Sequence, residues 1–199
     1  TRDPSRSPGL DASTMPHELV NTALNTFTFR QFVWDERKVG DDITNSHPSF
    51  VGNKIQAAFF HSNRLGFLSN DNVSMSQAAQ YFNFYHTSAQ IVTDADPIDL
   101  SASTIRPANL RSVIPTPQGL LLFSKSQQFM LKATGTGVIT PTTTSITAIS
   151  NYDVDENIEP VDMGTNINFL SKTPSYTRMF AMVTRGQDEN PQVLDVGRV

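Results

Sequence analysis

The chain has 199 residues, a formal net charge of −4, 38% hydrophobic and 17% charged residues, and no cysteine. That length and balance describe an ordered chain with a real core and exclude a disordered tail. They also exclude a disulfide framework or thiolate zinc as the source of stability. With no basic cluster they exclude tight capture of a phosphate backbone, which depends on Lys and Arg displacing condensed counterions.

Residues 1–16 hold three prolines among Ser, Arg and Asp, a composition that predicts an extended linker or arm. Residues 17–199 are expected to form one β-rich domain. Within "TFTFRQFVW" (26–34), Phe27 and Phe29 alternate with Thr28 and Arg30, the period of a half-buried strand. The polar run 35–50, broken by Gly40, Asn45 and Pro48, reads as a surface loop.

From residue 55 one pattern recurs. Ile55, Ala57 and Phe59 alternate, "HSNR" makes a turn, and "LGFLS" (65–69) is followed by the turn "NDN" and by "VSMS". An apolar triplet ending in Ser, a polar turn and alternating apolar positions return at "GLLLFSKSQQFML" (119–131) and "NINFLSKTPSYTRMF" (166–180). The marker residues Ser69, Ser124 and Ser171 stand 55 and 47 apart, a period of roughly 50 that belongs to propeller blades and related β arrays. Irregularly spaced hairpins of any β-rich chain are the plainer account.

The fold class predicted is mainly β, part of a propeller-like arrangement of short antiparallel hairpins with few short helices. The one helix expected is "SQAAQYFNFY" (76–85), opening on Ser76 as N-cap. Three repeats do not close a ring of roughly four to eight blades. The chain also starts without Met and ends abruptly, so an excerpt of a longer protein is expected. No stretch approaches the roughly 18 apolar residues of a spanning helix, and no membrane insertion is expected of this segment.

Signals of chemistry are weak. The histidines at 17, 47, 61 and 86 lack a metal-ligand spacing and read as surface or turn residues. In "DVDEN" (153–157) alternate oxygens begin like a calcium loop, but Ile158 and Gly164 stand where such a loop needs Gly and Glu. "GTG" (135–137) reads as a turn, and Trp34 as a core anchor. Asp94, Asp96 and Asp99 are candidates for a carboxylate pair, with a capped turn around Pro97 as the plainer reading. No catalytic, metal-binding or cofactor-binding residue is assigned and no cofactor is expected. The acidity is local: residues 151–199 carry four Lys and Arg against eight Asp and Glu, whereas residues 1–150 balance at eleven each.

Four blocks in order, "MPHELV" (15–20), "WDERKVGDDITNSHPSFVGNKI" (34–55), "FFHSNRLGFLSNDNVSMSQAAQYFNFY" (59–85) and "DADPIDL" (94–100), resemble the central part of the tail nozzle proteins, or tail tubular protein B, of short-tailed podovirus-type bacteriophages. The likeness covers most of residues 15–125 and weakens beyond. It implies a structural, non-enzymatic virion protein of much greater length. It further implies a homohexameric ring with propeller-like β domains, set below a tail adaptor ring, with tail fibres near that joint and genomic double-stranded DNA passing through the channel. A duct should not grip phosphates, so the acidic segment Asp153, Asp155, Glu156 and Glu159 is the expected channel-facing element, with a solvated outer loop as the alternative. A second reading is a host-surface receptor-binding β module of a phage tail, which predicts exposed aromatics at "YFNFYH" (81–86). A third is an envelope-degrading enzyme using a carboxylate pair.

Overall fold

A computed structural model of the chain describes residues 9–102, 108–135, 137–183 and 191–197, and every regular element among them is a β-strand. The first two, β1 (Glu18–Ala23) and β2 (Thr26–Arg30), form a separate hairpin. It turns at Leu24 and Asn25, where Asn25 takes φ 60°, a left-handed conformation that Asn tolerates better than most residues.

The next twelve strands make three four-stranded sheets, each antiparallel and each paired in chain order. The first contains β3 (Ile55–His61), β4 (Arg64–Ser69), β5 (Asn72–Met75) and β6 (Ile98–Ser101). The second contains β7 (Leu110–Thr116), β8 (Gly119–Ser124), β9 (Gln128–Ala133) and β10 (Thr144–Ser150). The third contains β11 (Val161–Asp162), β12 (Ile167–Lys172), β13 (Thr177–Val183) and β14 (Gln192–Asp195). Local chemistry explains the hairpins. Ser62 and Asn63 both have positive φ, 49° and 58°, so the β3–β4 turn is of the kind whose twist matches its flanking strands. At the β8–β9 turn the Ser124 hydroxyl donates to the Gln127 carbonyl at 2.8 Å.

Each sheet holds one copy of the repeating pattern. Ser69 and Ser124 end β4 and β8, and Ser171 is next to last in β12. All three sit on the second strand of their sheet and all are buried.

The sheets stack through two apolar layers. Leu68, Val73, Met75 and Ile98 of the first sheet meet Leu110, Leu120, Leu122, Phe129 and Leu131 of the second. From the other side of the second sheet, Leu121, Phe123 and Met130 meet Ile167, Phe169, Phe180 and Met182 of the third. Side chains alternate across a strand, so β8 sends even-numbered leucines one way and Leu121 and Phe123 the other, and it is buried along its whole length. Burying each such side chain contributes roughly 1.5–3 kcal/mol. Between the first two sheets strand rank is kept, with β3 beside β7 and β6 beside β10. A third cluster of Met15, Trp34, Phe50 and Phe84 covers the far side of the first sheet at Phe67.

The helix expected over 76–85 does not form, and no short helix occurs among the described residues. Its amides are spent elsewhere: Ala78 N donates to Ala95 O, Ala79 N to Asn63 O and Gln77 N to Asn83 O. Ala79 adopts φ 61°, and Ser76 Oγ accepts from Leu65 N instead of capping a helix. Tertiary hydrogen bonds here outweigh local propensity. The strand within 26–34 forms, but not half-buried, since all of β2 is exposed. The run 35–50 is irregular as expected, yet anchored inward by buried Asn45, whose Nδ2 donates to Val39 O and His86 O and whose Oδ1 accepts from His86 N. Of the expected arm, residues 1–8 lie outside the described residues. Within 9–16, Thr14 N closes a turn on Asp11 O and Met15 is buried.

Candidate functional site

The acidic residues singled out in the sequence lie in the loop joining β10 to β11. Two main-chain hydrogen bonds fix it, from Val154 N to Lys125 O and from Asp155 N to Leu170 O, both 2.8 Å. Buried Val154 is thereby pinned in the layer between the second and third sheets. The residues on either side of Val154 must then face outward. Asp155 Oδ1 accepts from Asn157 N and Asn157 Nδ2, each at 3.0 Å. The main-chain bond first, then the side-chain bond and nearby Lys172, hold its pKa below the usual carboxylate range against the opposing effect of burial. Glu156 Oε1 pairs with Arg111 Nε of β7 at 3.4 Å. Asp153 and Glu159 are exposed. The structure thus brings all four carboxylates onto one turn, with a cation beside two of them.

The triplet Asp94, Asp96 and Asp99 does not assemble as an acid–base pair. Asp99 accepts from Ser49 N, Ser49 Oγ and Ser74 Oγ at 2.6–2.9 Å. The wholly buried Asp96 accepts from Thr87 N, Thr87 Oγ1 and Thr93 N at 2.8–3.2 Å. Burial acts to raise the Asp96 pKa, and the hydrogen bonds from Thr93 and Thr87 outweigh it, so the net direction is downward. Asp96 caps the turn that precedes Pro97, and Asp99 ties the 47–55 loop to β5.

What holds that region is Arg64, a residue with no sequence signal, because its partners lie 12 to 32 positions away. Its side chain is 1% exposed. Nη1 donates to the carbonyls of Ser76 (2.7 Å), Ala95 (3.3 Å) and Asp96 (2.7 Å), and Nη2 to that of Asp94 (2.8 Å). Burial lowers its pKa and the Asp96 charge opposes the lowering, and a guanidinium stays charged throughout.

Of the aromatics at 81–86, Phe84 and Tyr85 are buried and Phe82 is half-buried, while half-buried Tyr81 packs edge-on against the exposed Phe60. Phe84 stacks on Phe67 and tilts against Trp34, Phe82 stacks on Phe32, and Tyr85 is 1% exposed. Tyr85 OH lies 2.7 Å from His47 Nδ1. Burial pushes its pKa up to about 12, ahead of smaller opposed effects of Arg37 and Asp42. The stretch therefore does not offer the exposed aromatic face that a receptor module would use, and Trp34 is a core residue. An open groove of about 790 Å³ runs between residues 9–16 and 47–55 and is mostly apolar, with Leu10, Met15, Phe50 and Ile55 along it.

Exposed apolar side chains gather instead on the β1–β2 hairpin, at Leu19, Leu24, Phe27 and Phe29. The alternation that predicted a strand there carried no sign of which face would stay open.

Two comparisons bear on this architecture. A sequence model of the family described as "Bacteriophage nozzle protein" matches residues 1–199. The tail tubular protein gp12 of Escherichia phage T7 is 42% identical over 164 residues, which is 82% of this chain and 20% of that protein. The chain spans only that fraction of its curated relative's length.

Proposed function

The chain belongs to the bacteriophage nozzle protein family, and from that membership we propose that it is part of a structural subunit of the virion tail, arranged in repeated copies around the channel through which genomic double-stranded DNA leaves. The observation that carries the architectural side of this reading is the stack of three four-stranded meanders, with first strand beside first and last beside last between the first two, an arrangement like that of successive propeller blades. Three sheets do not close such a ring, and the reading requires further sheets. The ring is a homohexamer seated against a tail adaptor ring, with fibres attached near that joint, and the role is mechanical rather than catalytic.

The acidic turn faces the channel in this proposal. Supporting this are exposed Asp153 and Glu159, which weakly repel passing phosphates, while Glu156 is tied to Arg111. Carboxylates there keep a duplex centred without adding the sticking points that Lys or Arg would create. Electron microscopy of the full-length protein, sorted for rotational symmetry, tests both parts. Six-fold rings with a central hole wide enough for a duplex are expected. Compact monomers that stay monomeric with the adaptor present would overturn the assembly, and carboxylates on the outer wall of a ring would overturn the lining alone.

A further inference from the structure

The β1–β2 hairpin has two unlike faces. Its register sets Leu19 opposite Phe29 and Asn21 opposite Phe27 on one, and Glu18 opposite Arg30 and Val20 opposite Thr28 on the other. The polar face closes on itself through Glu18 Oε1 and Arg30 Nε at 2.6 Å. The apolar face is open: Leu19, Phe27 and Phe29 are 66%, 59% and 69% exposed, and the one aromatic contact there among the described residues is His17 stacked on Phe29. A lone two-stranded hairpin is marginal in water, and among the described residues β2 has no strand on its outer side. The chain then continues through residues 31–34, whose backbone makes no main-chain hydrogen bond among the described residues.

A matching edge lies at the other end of the stack. In β14, Val193 packs into the layer beneath the third sheet, while Leu194 and, just beyond the strand, Val196 are 50% and 54% exposed. The corresponding last strands β6 and β10 expose no large hydrophobic residue, so β14 stands apart from them. Its outer side is also unpaired among the described residues. The middle sheet separates the hairpin end from β14.

We infer that β2 of one copy adds as a strand to the open edge of β14 in a second copy of this chain. An antiparallel register with Phe29 beside Leu194 and Phe27 beside Val196 joins apolar face to apolar face. On the opposite face the same register sets Thr28 beside Asp195 and Arg30, still paired with Glu18, beside Val193 and diagonal to the Asp195 carboxylate. Strand addition of this kind gains main-chain hydrogen bonds for affinity and alternate side chains for register. A head-to-tail contact between unlike surfaces closes a ring when repeated about an axis. The inference rests on the tail-ring reading above.

These 199 residues contain no cysteine, so a cross-link is easily read. In the full-length protein, with any cysteine elsewhere replaced by serine, Phe29→Cys and Leu194→Cys are combined and oxidised, since facing strand positions suit a disulfide. A ladder of covalent multimers is expected from the pair and none from either single variant. Phe29→Asp should weaken ring formation by roughly tenfold or more with an unchanged circular dichroism spectrum. Should that variant not fold, the cysteine pair still decides. Rings without a ladder, or a cross-link confined within one chain, would overturn the contact while leaving the ring intact. Absence of rings from the unmodified protein would overturn the assembly reading and this contact with it.

Discussion

Replacing Arg64 by lysine is the sharpest probe of what orders residues 76–97. The guanidinium reaches four carbonyls at 2.7–3.3 Å from a side chain that is 1% exposed. An ammonium can occupy one end of that fork and cannot span Ser76 on one side and Asp94 on the other. Two carbonyls would lose their donor, and each hydrogen bond from a charged group contributes about 1.5–3 kcal/mol. The expected loss is therefore about 3–6 kcal/mol, close to the roughly 3–5 kcal/mol cost of breaking a buried charged contact. Urea unfolding followed by Trp34 fluorescence reads it directly, because this is the only tryptophan and its ring lies 6.1 Å from Phe84, within the segment that Arg64 holds. A loss below about 1 kcal/mol would refute the view that Arg64 organises this segment.

Leu121→Ala and Leu122→Ala should each cost about 2–5 kcal/mol in the same assay, because they enter opposite layers; a cheap result at either position would show that face of the middle sheet to be open. Gly119→Ala should cost about 3 kcal/mol or more, since φ is +147° and a Cβ would run into the Leu131 carbonyl; a melting temperature within a degree of the unmodified protein would contradict that geometry. The lowered Asp96 pKa means that its contribution is complete above the ordinary value of 3.8 and is lost as pH falls through the lower folded value. Asp96→Asn should therefore flatten the acid limb of stability plotted against pH below about 4, and an unchanged limb would assign the acid sensitivity to other carboxylates.

Much of the strand content was legible in the sequence, because hairpin turns are local. Ser62 and Asn63, the run after Ser69, and the Ser124 turn announce themselves within a few residues, and the recurring Ser marks the second strand of each sheet. Three things were not legible, for one shared reason. Arg64 is defined by carbonyls up to 32 residues away. The apparent helix at 76–85 is undone by acceptors at Asn63 and Ala95. The openness of Phe27 and Phe29 depends on what the rest of the chain fails to cover. Of the acidic candidates, sequence placed four carboxylates on one turn, but the pairing of Glu156 with Arg111 of β7 follows only from the stacking of sheets.

The strand buried on both sides has a mechanical consequence. Amide hydrogens of β8 are screened by a layer above and a layer below, so their exchange with solvent waits on an opening that separates both neighbouring sheets, whereas those of the β1–β2 hairpin exchange through fraying of a single pair of strands. Rigidity is therefore graded along the molecule, stiffest at the middle sheet and most compliant at the hairpin tip. An element built this way tolerates small misalignments where it meets its surroundings, while the centre of the stack keeps its shape under strain.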